Sequence, residues 1–140
     1  MRGRAIILAV ALACVGTSCG KASAASTAAK ECAQLRTTWA PVTDKGTARA
    51  TGTQITVDAA NAGFAPTCVT DVREGPVTLV VHNTGSSLHN VQVTAQHVDV
   101  DVAPGKTVTV RLTVGREPLV YVCKYHRFLG MVGFLVPAGS

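Results

Sequence analysis

Three residues on one short stretch could hold a metal. Val120-Tyr-Val-Cys-Lys-Tyr-His-Arg-Phe-Leu-Gly-Met-Val-Gly-Phe134 spaces Cys123, His126 and Met131 as C-x2-H-x4-M. Upstream, Ser87-Leu-His-Asn-Val91 supplies a second histidine, His89. One thiolate, two imidazoles and one thioether form the donor set of a mononuclear blue-copper site, trigonal His2Cys with a weak axial Met. Thiolate and thioether suit Cu(I), and imidazole also suits Cu(II). A site that holds both oxidation states with little movement passes single electrons.

Such a site needs rigid elements on both sides of the loop. Leu119-Val-Tyr-Val-Cys123 is β-branched and aromatic and reads as a strand, as does Met131-Val-Gly-Phe-Leu-Val136. Gly130 lets the chain turn back between them. A loop of this length brings its own donors to one side of an ion only, so the fourth comes from elsewhere. His89 opens the alternating segment His89-Asn-Val-Gln-Val93. Further strands are expected at 53–58, 67–72, 77–82, 97–102 and 107–114, with a turn or bulge at 61–66. About eight short strands at regular spacing predict an all-β protein, an antiparallel β-sandwich.

The 140 residues suffice for one domain. Aromatics are only 4%, so Val, Leu, Ile and Ala must build the core. The formal charge is +5, but from Thr51 onward six basic residues balance six acidic ones. The excess lies upstream, and this is no nucleic-acid footprint.

Residues 1–19 read as a signal peptide. Arg2 and Arg4 make a positive start, and Ala5 to Val15 is an apolar run too short to span a bilayer. Gly16-Thr-Ser-Cys19 resembles a bacterial lipoprotein cleavage site, which would leave Cys19 lipidated; ordinary secretion with cleavage nearby is the other reading. Both place the domain outside the cytoplasm, at the outer face of the membrane or in the cell envelope. Residues 20–51 read as a linker, with a short helix over 27–39 capped by Thr27 and a loop over 41–52. Cys32 and Cys68 remain once Cys14 and Cys19 belong to the leader. Two spare cysteines in an oxidising compartment are expected to pair.

From Thr53 to Pro137 the chain resembles the cupredoxins, above all the plastocyanin-like ones. Phe64-Ala-Pro66 with Val69 is similar to the family's F-x-P-x-x-(V/I) segment. Glu74-Gly75 before the valine-rich strand ending at Asn83 resembles another family segment. His89-Asn90-Val91 and Cys123-x2-His126-x4-Met131-Val-Gly133 resemble its two ligand segments. The resemblance implies a Greek-key sandwich over residues 52–140 and one copper ion on His89, Cys123, His126 and Met131. It also implies that Asn90 ties the two ligand segments together by hydrogen bonds. Tyr125 stands where the family often has proline, and Val122 where an aromatic residue is common. The implied function is non-enzymatic one-electron transfer by a monomer, through the edge of His126 to redox partner proteins. Leu88, Phe128 and Leu129 are expected to form the docking surface, with Lys124 and Arg127 favouring negatively charged partners. An oxidase or nitrite reductase needs further copper-ligating histidines, and only His82 and His97 are left. A copper carrier or sensor without a shuttle role is the alternative.

Overall fold

A computed structural model describes residues 20–139, with side chains from residue 27 onward. The expected signal peptide, including Cys14 and Cys19, lies outside the described residues. Helix α1 runs Gly20–Thr38 and is followed by ten strands. They are β1 Thr47–Arg49, β2 Gln54–Ala60, β3 Gly63–Ala65, β4 Cys68–Val72, β5 Gly75–Asn83, β6 His89–Val93, β7 Val98–Val102, β8 Thr107–Val114, β9 Leu119–Val122 and β10 Val132–Pro137.

They form two sheets, one in the order β1-β4-β10-β9-β6-β7 and one in the order β3-β2-β5-β8. The core lies between them. Alternate residues of β2 (Ile55, Val57, Ala59), β5 (Val77, Leu79, Val81) and β8 (Val110, Leu112, Val114) point into it. This is the period-2 pattern that a half-buried strand requires. The sandwich is as the alternation implies, but its pairing is mixed. β1 with β4, β4 with β10 and β2 with β5 run parallel. Parallel neighbours need a crossover between them, and alternation along one strand carries no information about the partner's direction.

Two elements were not expected. The segment 61–66 is the turn and second arm of a hairpin. Asn61 and Ala62 both have positive φ (49° and 53°), and Ala60 pairs with Gly63 across them, the geometry of a tight two-residue turn. The expected loop over 41–52 contains β1, which adds an edge strand beside β4. The strand expected from His97 starts at Val98, because His97 is left-handed (φ 54°) at the end of a single helical turn, Thr94–Gln96.

The stretch 20–51, expected as a linker or N-terminal extension with a short helix, holds a longer helix and β1. The helix begins at Gly20, so Thr27 lies inside it rather than at its cap. Ala28, Cys32, Leu35 and Trp39 recur at helical spacing and pack with Val132, Phe134 and Val136 on the outer face of the six-stranded sheet. Buried between helix and core, β10 is apolar at every position. Cys32 and Cys68 form a disulfide (Cα–Cα 6.1 Å) that fastens the helix to β4. No helix among the described residues is long and apolar enough to cross a membrane.

Candidate metal centre

β6 and β9 are neighbours in the six-stranded sheet, and their ends carry the donors. His89 begins β6 and is 1% exposed. Asn83 fixes the loop that delivers it: its Nδ2 donates to Ser87 O (2.8 Å) and Val102 O (2.7 Å), and its Oδ1 accepts from Gly85 N (3.0 Å). Cys123 follows β9 directly, is fully buried and is the free thiol among the described residues.

The chain from Cys123 to Met131 is bound into a compact loop by its own backbone. Cys123 N donates to Met131 O (3.0 Å), Met131 N to His126 O (3.1 Å) and His126 N to Cys123 O (3.1 Å). Gly130 closes it at φ 92°. The upstream segment buttresses this loop. Thr43 donates from N to Gly130 O and from Oγ1 to Leu129 O, both 2.8 Å, and the Arg127 guanidinium lies 5.2 Å from the centre of the Trp39 ring.

The donors converge. His89 Nδ1 is 3.2 Å from His126 Nδ1, and Cys123 Sγ is 3.5 Å from His126 Nδ1. One ligand atom from each of the three lies within 4.8 Å of the others, and this is the metal-capable cluster found among the described residues. The two shorter separations suit nitrogen and sulfur about 2.0–2.3 Å from one shared ion. Burial, and secondarily the neighbouring His126, lowers the His89 pKa below the usual histidine value, which favours the neutral imidazole that ligates a metal. With Nδ1 as the ligating atom the proton sits on Nε2, which is buried and without a hydrogen-bond partner among the described residues. Met131 is fully buried in the same core cluster as Cys123. The residues present fit a soft, mixed N/S ion site.

His126 is partly exposed, and apolar side chains surround its loop at the surface. Leu88 is 42%, Phe128 90% and Leu129 63% exposed. Tyr125, not foreseen there, is 47% exposed.

Asn90 is fully buried, and its Oδ1 accepts from Lys124 N (3.4 Å), which links the two donor segments. Lys124 is not a free surface cation. Its Nζ lies 2.7 Å from Asp99 Oδ1 and 3.2 Å from Asp101 Oδ1. These contacts raise the Lys124 pKa, that of Asp99 being the stronger. The hydrogen bond from Lys124 holds Asp99 below the usual carboxylate range, and that from Tyr125 does the same for Asp101. Sequence reading missed these aspartates as neighbours of the site; their signal was the exposed face of an alternating strand, which looks the same on any edge strand. His82 instead faces Asp58 (3.7 Å) on the other sheet.

Among curated proteins no sequence matches. Reduced auracyanin from the photosynthetic bacterium Roseiflexus castenholzii is similar in fold, with a TM-score of 0.52 and 19% identity over 64% of this chain and 99% of that one. So is the Cu(I)-bound metal-binding domain of the Cu(I)-exporting P-type ATPase CopA of Streptococcus pneumoniae D39, with a TM-score of 0.55 and 13% identity over 66% and 96% of the two chains. The profile of the cupredoxin-like domain matches residues 6–136, reaching well upstream of the Thr53 boundary that the motifs suggest. A two-sheet sandwich that gathers His89, Cys123 and His126 at one end, matched over nearly its whole length by that profile, places this chain in the cupredoxin family.

Proposed function

We propose that the protein is a one-electron carrier that holds one copper ion with His89, Cys123, His126 and Met131. The convergence of two imidazole Nδ1 atoms and a buried thiol beneath an exposed apolar rim carries this reading. Copper bound there would supply a reversible Cu(I)/Cu(II) couple. The protein's part is to hold the donors still. The hydrogen-bonded loop keeps Cys123 and His126 in register, burial favours the neutral form of His89, and the core excludes water around Cys123 and Met131. His126 lies at the surface between donor cluster and solvent, so its ring edge is the exit for the electron. Leu88, Tyr125, Phe128 and Leu129 form the apolar face against which a redox partner protein docks.

The carrier acts as a monomer on the outer side of the membrane, tethered through a lipid on Cys19. It takes no part in bond-making. A second reading, a copper carrier or sensor, rests on the fold shared with the CopA metal-binding domain.

The deciding experiment is visible absorption and EPR after adding Cu(II), with Cys123→Ser beside the unaltered protein. An intense thiolate-to-copper band, absent from the variant, supports the site. A reversible potential with fast self-exchange supports the shuttle. A colourless protein that still binds copper puts the carrier reading first.

A further inference from the structure

We infer that Asp99 and Asp101, on β7, are positioning residues of the donor loop: they set the direction of the buried Asn90 amide and tie down the two residues after Cys123. This deepens the copper reading and rests on it for its functional meaning.

β6 and β7 are antiparallel, with Asn90 opposite Asp101 and Gln92 opposite Asp99. Asn90 Nδ2 donates 2.8 Å to Asp99 Oδ1 and 2.8 Å to Asp101 Oδ1. An asparagine side chain has nearly the same shape when its oxygen and nitrogen are exchanged, so packing alone does not choose between the two orientations. Two ionised carboxylates do choose, because they only accept. Both amide hydrogens are engaged, and Oδ1 is left facing the loop, where it accepts from Lys124 N at 3.4 Å. Charge-assisted hydrogen bonds are the stronger kind, so the pair of acids outweighs the one long bond in setting the amide.

The same acids grip the loop's side chains. Lys124 Nζ bridges them, and the Tyr125 hydroxyl donates to Asp101 Oδ2 at 2.7 Å. Gln92 Nε2 steadies Asp99 from the side at 3.2 Å. Residues 124 and 125 are therefore held through backbone and side chain between Cys123 and His126. Acids on an edge strand also discourage sheet-to-sheet aggregation. That duty does not need their oxygens on a buried amide, and losing it would not move the donors.

The test compares Asp99→Ala, Asp101→Ala and the double variant Asp99→Asn/Asp101→Asn with the unaltered full chain. In the metal-free proteins, NMR reads solvent exchange of the two Asn90 side-chain amide protons, together with the Lys124 amide shift. Each alanine variant should speed exchange of one Asn90 proton by about tenfold or more and move the Lys124 amide. The double Asn variant keeps the size but neither the charge nor the accept-only chemistry, so it should also speed Asn90 exchange, by less than the alanine variants do. With Cu(II), the alanine variants should shift the thiolate band and widen the copper hyperfine splitting, and the Asn variant should do both to a smaller degree. Unchanged Asn90 exchange in the alanine variants overturns the inference. So does an unchanged copper spectrum in them where the unaltered protein shows its band. If the unaltered protein gives no thiolate band, the copper reading fails and the metal-free measurements alone decide the role of the acids.

Discussion

Gly130, which closes the donor loop, and Gly133, on β10 just beyond it, show how little freedom the chain has there. A Cβ on Gly130 would lie 2.7 Å from Thr43 N, and its φ of 92° belongs to the left-handed region. Left-handed backbone costs a non-glycine residue roughly 1–2 kcal/mol, and the contact is with backbone that hydrogen bonds hold in place. Gly130→Ala should therefore lower stability by about 2 kcal/mol or more, read from urea denaturation. Gly133 faces the Tyr121 ring so closely that a Cβ would sit 2.1 Å from its Cζ. Tyr121 is fully buried against Phe64 (4.8 Å between ring centres), and burial raises its pKa well above the usual phenol value. Its hydroxyl has no partner among the described residues. A buried polar group without a partner is costly and its removal is not, so Tyr121→Phe should leave stability unchanged or raise it by up to about 1 kcal/mol. A clear loss in the same denaturation experiment would show that the hydroxyl does have a partner.

At the level of elements, α1 and the segment after it act as a brace for the sheet that carries the donors. The disulfide closes a stretch with a sequence separation of 36. In the chain-entropy picture a loop of this length stabilises by about 4 kcal/mol, so Cys32→Ser/Cys68→Ser should lower the unfolding free energy by that order, read from urea denaturation. Its helical face, Ala28-Cys32-Leu35-Trp39, could have been read from the sequence as period 3.6. The small, polar residues on the other faces hid it. β1 had no such signal: Thr47, Ala48 and Arg49 are all exposed, and nothing in three exposed residues announces a strand.

Across the whole molecule, electrostatics and docking separate. Asp71 is held below the usual carboxylate range by its hydrogen bond from Arg49, as Asp99 and Asp101 are by Lys124 and Tyr125. A depressed folded pKa contributes stability above the unfolded value of about 3.9, and that contribution is lost as pH falls through the folded value. Below about pH 4 the unaltered metal-free protein should thus lose melting temperature more steeply than Asp71→Asn or the double variant Asp99→Asn/Asp101→Asn. Equal slopes would mean that these pairs do not contribute. Because Lys124 is already bridged by two acids, the proposed docking face is more apolar than its sequence suggested, with Arg127 the cation that remains beside it. Phe128→Asp should slow electron transfer to a partner about tenfold or more while the copper spectrum stays intact.

The sequence by itself determined the sandwich and named the candidate donors. Ligand chemistry resides in the residues, and three of the four expected donors share one loop, so their spacing survives without knowledge of the fold. Alternation likewise reports that one face of a strand is buried. It does not report what that face meets. The parallel pairings, the helix clasped to β10, Thr43 against Gly130 and Leu129, and the two aspartates around Asn90 all join residues distant in the chain. Only the tertiary structure decided them, because hydrogen bonds and packing between remote segments depend on which elements become neighbours, and no local period encodes that.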